Sequence, residues 1–152
     1  MAVSTKVFAH FLQDATGGTG AGTSPNCDWL SDTIKIALVT VLPNQATDEF
    51  WTTPQANEVS GAAPGYSTGG ITLTGKTLAA SSLVSTYDSS LDPTWNTATF
   101  SAVAAVIYDS TPGTAATDPL IAYIDFGGTL SPSSGTLVIT FNASGIFTVT
   151  VS

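Results

Sequence analysis

Residues 33–42, TIKIALVTVL, carry apolar side chains at both parities: Ile34, Ile36 and Leu38 on one face, Ala37, Val39 and Val41 on the other. Side chains on a strand alternate sides, so such a run predicts a strand covered on both faces and lying inside the fold. Residues 97–108, TATFSAVAAVIY, share this character and predict a second central strand. Further strands are predicted at 3–12, 71–79, 82–88 and 119–126, separated by residues that favour turns. TLVITF (136–141), NASG (142–145) and IFTVTV (146–151) read as a hairpin at the end of the chain.

Helical periodicity is weak throughout. The best helix is expected in ATDEFWTTPQANEVS (46–60), after Pro43 ends the second strand. Thr47 is its expected cap, Asp48 and Glu49 lie in its first turn, and Pro54 limits its length. GAAPGYSTGG (61–70) is turn material, and ATGGTGAGTSPNCD (15–28) predicts a mobile loop. With no internal repeat, the pattern predicts an all-β, single-domain antiparallel β-sandwich or jelly roll over residues 1–152, with at most one short helix near 47–57. Residues 1–30 are expected to be an N-terminal arm, or a first strand followed by the Gly-rich loop.

Composition narrows the function. The chain has 152 residues, enough for a real core without staples. Its one cysteine, Cys27, excludes an intrachain disulfide and suits reducing cytosol. Eleven acidic residues face three lysines (Lys6, Lys35, Lys76), and there is no arginine. A net charge of −8 repels nucleic acid and anionic membranes, so neither is an expected partner. With 9% of residues charged, the polar surface falls to 25 threonines and 17 serines, and threonine suits exposed strand faces. MAVSTKVFAHFLQDATGG lacks the basic start and uninterrupted apolar run of a secretory signal, so export by that route is not expected.

Two catalytic signatures overlap in PGYSTGGITLTGKT (64–77). Gly65-Tyr66-Ser67-Thr68-Gly69 fits G-x-S-x-G, and Gly70 through Thr77 fits G-x-x-x-x-G-K-[ST]. The first needs a strand, a sharp turn, a helix and a base, yet the only histidine, His10, precedes it on a predicted strand. The second needs a phosphate cradle before a helix, whereas ITLT reads as extended chain, with Lys76 an exposed strand lysine that discourages edge pairing. AAVIYD (104–109) imitates a magnesium-holding strand end but reads as a strand closed by a turn-forming Asp. Asp88, Asp92 and Asn96 match no calcium loop and read as turn residues. No catalytic residue, metal site or cofactor is therefore expected. Trp29, Trp51 and Trp95 lie near element ends, where they either plug the core or anchor an interface. With Tyr66 they are the candidate interface residues.

Five segments in order carry a resemblance: DWLSDTIKIALVT (28–40), FWTTPQANEVSGAAPGYSTGGITLTGKTL (50–78), WNTATFSAVAAVIYDSTPG (95–113), LIAYIDFGG (120–128) and GTLVITFNASGIFTVTV (135–151). Within the second, Asn57-Glu58-Val59, Gly65-Tyr66, Gly69-Gly70 and Leu73 match an "NEV…GY…GG…L" pattern. Over residues 28–151 the chain resembles small virion structural proteins of tailed bacteriophages. The resemblance implies a β-rich, non-enzymatic protein of the virion, assembled in the host cytoplasm. Its expected role is capsid decoration or cement, with the major capsid protein or other virion proteins as partners. Homo-oligomers follow from the same resemblance, a trimer suiting the threefold positions of shells. The alternative is a tail-associated or exposed receptor- or carbohydrate-binding module, with the tryptophans as stacking platforms.

Overall fold

The structure, a computed structural model, describes residues 3–12 and 27–150. Most of the Gly-rich segment proposed as a loop or arm hinge lies outside the described residues, as does Val151. The elements of the fold include β1 (Ser4–Val7), β2 (Ile34–Val39), α1 (Thr52–Gln55), β3 (Ile71–Thr72), β4 (Lys76–Ser81), β5 (Val84–Ser89), β6 (Thr94–Ala98), β7 (Ala102–Asp109), β8 (Leu120–Leu130), β9 (Gly135–Val138) and β10 (Phe147–Thr150). Every ladder is antiparallel. The fold is all-β and sandwich-like, as the alternation predicts.

A five-stranded sheet runs β1-β8-β7-β2-β3; β10-β5-β4 and β6-β9 form two smaller sheets. One face of the large sheet, with Ile34, Ile36, Leu38, Ala105 and Ile107, packs against Trp29, Trp95, Ile139 and Phe147 from the rest of the chain. Its opposite face, with Ala37, Val39, Ala104, Val106 and Tyr108, lies under Phe8 and Trp51. The two strands with apolar residues at both parities, β2 and β7, are indeed internal and pair with each other from Ile34↔Asp109 to Val39↔Ala104. Two register shifts along β7–β8 switch the side-chain alternation, one between Ile107 and Tyr108, the other between Ala102 and Ala104.

Four expectations need correction. The 71–79 run is two strands in two sheets: Ile71–Thr72 pairs with β2, Lys76–Ser81 with β5. The 97–108 run also divides, because β6 ends at Ala98 and its bulge turns the chain before β7. The C-terminal hairpin does not form. β9 pairs with β6 and β10 with β5, so the Asn142–Gly145 turn carries the chain between sheets. That turn is real: Asn142 Oδ1 accepts Ser144 N–H at 2.8 Å and Asn142 O accepts Gly145 N–H at 2.8 Å. Hairpin turn chemistry fixes a reversal, not which strand lies alongside afterwards.

The helix also starts later than its cap signals indicate. Asp48 closes a turn instead, with Oδ2 accepting Asn44 N–H at 2.7 Å. The chain that follows is tied to 115–120: Leu120 N–H donates to Glu49 O (2.9 Å), Trp51 N–H to Asp118 O (2.8 Å) and Thr52 N–H to Ala115 O (2.9 Å). Only then does α1 form, with no side-chain cap and with Pro54 buried inside it rather than ending it. These bonds hold the Trp51 ring flat on Tyr108, centroids 4.4 Å apart at 6°. That stack is the lid over the second face of the sheet. Trp51→Ala is expected to cost about 3–5 kcal/mol by opening a cavity there, read as a lower urea midpoint with an unchanged slope.

Candidate functional site

The residues of the "NEV…GY…GG…L" pattern, one part of the resemblance, form a strap along the free side of β2. At its start β3 pairs with Lys35 and Ile36. Further on, Val59 N–H donates to Leu38 O at 2.9 Å and Thr40 N–H to Asn57 O at 2.8 Å. Between them no strand reaches Leu38 N–H, and the Tyr66 hydroxyl accepts it instead at 3.1 Å. That hydroxyl donates to Glu58 Oε1 at 2.7 Å, and the same oxygen accepts Gly69 N–H at 2.5 Å. Leu73 N–H closes the strap on Ile34 O at 2.9 Å.

The glycines answer to the same geometry. Gly70 has φ +72°, and a Cβ there would run into the Ile36 carbonyl and Ala37. Gly65 has φ +80° and lies against the backbone of Asn96 and Ala98. The catalytic signatures therefore fall on a clasp. Its loop N–H at Gly69 does face an anion, but the anion is the chain's own Glu58. Ser67 O accepts Gly70 N–H at 3.0 Å within a turn, and strand β4, not a helix, follows Thr74-Gly75. His10 lies in a turn beyond β1, where Ala9 N–H reaches Gln45 O at 3.1 Å.

Behind the clasp is a cavity of about 230 Å³ lined by Lys35, Trp51, Gln55, Tyr108, Ser110 and Asp118, among others. The Tyr108 hydroxyl donates to Gly69 O at 3.0 Å, joining the lid to the strap. Burial first, then Glu58, pushes both the Tyr66 and Tyr108 phenols well above the ordinary range, so both stay neutral donors. Asp118 Oδ1 accepts Gly113 N–H (2.9 Å) and Thr114 N–H (3.1 Å), opposing the upward pull of burial on its carboxyl. This cavity joins parts of the fold; its carboxylate and phenol already serve the backbone.

The four candidate interface residues are all buried in the chain itself: Trp29, Trp51 and Trp95 at 2–3% exposure, Tyr66 at 5%. Trp29 stands edge-on to Tyr87 and Phe147, and its indole donates to Thr77 O at 3.0 Å. Trp95 lies in the core with its indole nitrogen unpaired. They occupy the core-plugging role. The large apolar side chains that do meet solvent include Val41, Leu42, Leu78, Leu83 and Val138. Val41 was expected on a covered face of the 33–42 strand, but β2 ends at Val39 and leaves Val41 and Leu42 beyond the cover; Leu78, Leu83 and Val138 are single aliphatics that look like ordinary strand alternation.

Of the proposed turn aspartates, Asp92 ties two distant segments instead, with Oδ1 accepting Phe141 N–H at 2.9 Å, and Asp88 is a strand residue paired with Thr77. Asp109 caps the end of β7, its Oδ1 accepting Thr111 N–H at 2.8 Å, as its turn reading implies. Its Oδ2 is buried without a partner. Among the described residues no group of three or more His, Cys, Asp or Glu is placed to hold a metal.

Tyr66→Phe should cost about 1–3 kcal/mol, because Leu38 N–H is left buried and unpaired; urea unfolding with an intact strand spectrum measures it. A pH effect follows from Asp109. Burial, with Asp32 nearby adding to it, raises its carboxyl from 3.8 to about 6. The folded chain thus holds a proton there that the unfolded chain releases, so the contribution is full below 3.8 and is lost as pH rises through about 6. Asp109→Asn should flatten that decline, checked by urea unfolding at pH values spanning about 4 to 7.

No protein-family model, curated protein or solved structure matches this chain.

Proposed function

We propose that this chain is a non-enzymatic virion structural protein of a tailed bacteriophage, acting as a capsid decoration or cement protein. One observation carries the reading. The pattern within the second of the five resembling segments is used up in holding the fold: Glu58, Tyr66 and Gly69 form the clasp, Gly65 and Gly70 allow close backbone approach, and Val59 and Leu73 bond β2. A block whose residues serve the scaffold marks a family by its architecture rather than by a reaction. It leaves the outer surface, rich in Ser and Thr and poor in charge, for contacts with the shell and with other copies. At a symmetry axis such a surface avoids stacking like charges.

The receptor- or carbohydrate-binding reading depended on tryptophans as stacking platforms, and the three rings are at most 3% exposed. That leaves the cement role as the better supported. It works by burying apolar side chains and loop backbone against the shell, with no bond made or broken.

Particles assembled with and without this protein test it. Intact heads should contain the chain in a fixed ratio to the major capsid protein, and heads lacking it should release DNA at a lower temperature. Absence from purified heads, or identical release curves, would remove the cement role.

A further inference from the structure

Among the described residues β4 is an open edge that no other segment guards. β4 and β5 form a hairpin whose two-residue loop, Ser82-Leu83, follows the closing pair Ser81↔Val84. In a hairpin of that length the pair flanking the loop is hydrogen-bonded, and bonded pairs then alternate. Ser81, Ala79 and Thr77 therefore bond inward to β5, while the N–H and C=O groups of Leu78 and Ala80 point outward. Among the described residues no hydrogen bond uses those outward groups. All five residues from Thr77 to Ser81 are exposed.

Among the described residues the edges of the large sheet are protected. The strap seals β2, β3 is two residues long, and β1 carries Lys6 paired with Asp125 at 3.5 Å. Lysine on an edge usually blocks pairing, and Lys76 is expected to do that here. It does not: its ammonium turns back onto Asp32 O and it is half-buried, leaving the edge without a charge. Trp29, bonded to Thr77 O, props the strand from inside.

We propose that β4 pairs with β4 of a second copy, antiparallel about a two-fold axis centred on Ala79. In that register Leu78 faces Ala80 of the other copy on both sides of the axis, so the outward groups bond each other. Ala79 then meets Ala79, and Thr77 meets Ser81. Every pair is small or uncharged, and residues 77–87 contain no charged side chain. A charged partner would find nothing here to pair with. For a chain of net charge −8, this hairpin is a surface where two copies approach without local repulsion. Leu78 and Leu83, 42% and 62% exposed, add apolar cover. The inference rests on the edge itself and is independent of the virion reading.

Two short strands bury less than a standard interface, so the dimer should be weak. Its salt dependence is diagnostic. Beside the entropy lost on association, long-range repulsion between like-charged copies opposes pairing, and salt screens it. Sedimentation equilibrium of the purified full chain should show a monomer–dimer equilibrium that tightens as sodium chloride is raised. Ala80→Lys should abolish the dimer while leaving the thermal melt unchanged. In the wild-type chain, hydrogen exchange at Leu78 and Ala80 amides should slow with increasing protein concentration, and at Ala79 it should not change. A monomer at every concentration and salt would overturn the proposal. So would association that survives Ala80→Lys, or that leaves the Leu78 and Ala80 amides exchanging freely.

Discussion

The Tyr66 hydroxyl is the constraint on which this side of the molecule depends. A strand buried on both faces must still bond both of its edges, and on the strap side of β2 no backbone carbonyl takes the Leu38 N–H. One phenol stands in for a strand there, accepting Leu38 N–H and donating to Glu58. The arrangement works because burial keeps the phenol protonated, so that it acts as acceptor and donor at once. The Glu58 carboxylate then has capacity to take Gly69 N–H as well. The turn that would otherwise drift from the sheet is thereby pinned against it.

The second face of the sheet imposes a matching demand. Because β7 and β2 are apolar at both parities, a sandwich on one side is insufficient, and the 44–58 excursion supplies the other cover. Its helix is almost incidental: the backbone bonds to 115–120 set Trp51 on Tyr108, and α1 is the short stretch left over. Tyr108 reaches Gly69 O, so lid and clasp share a hinge point. With both faces covered and the strap in place, polarity at the surface falls to Ser and Thr hydroxyls, which bond locally and leave few charges to repel a neighbour.

Individual strands were legible wherever burial acts on a residue regardless of its partner. The two central strands announced themselves through Ile34–Val39 and Ala102–Asp109, since a side chain covered on either face must be apolar. Partner choice was not legible. TLVITF and IFTVTV carry good strand chemistry and a good turn, yet pair with β6 and β5, because the turn sets direction and core packing sets neighbours. The cap at Thr47 misled for a related reason: a capping signal of about 1 kcal/mol yields to several backbone hydrogen bonds made to a distant loop. The clasp was half visible. Its glycines, Tyr66 and Glu58 were all singled out in one pattern, but Glu58 lies eight residues from Tyr66 and nothing local shows that the two bond.

The sequence by itself determined that this chain forms sheets, which strands are central, that charge is sparse and acidic, and that the 61–70 glycines turn the backbone. These follow from local rules: side-chain alternation, backbone freedom and net charge. Only the tertiary structure decided that the tryptophans face inward, that Glu58 takes the loop N–H of Gly69, and that the Lys76 ammonium turns away from the edge of β4. Those outcomes depend on contacts between residues far apart in the chain, and such contacts are set by which surfaces must be covered rather than by any neighbouring residue.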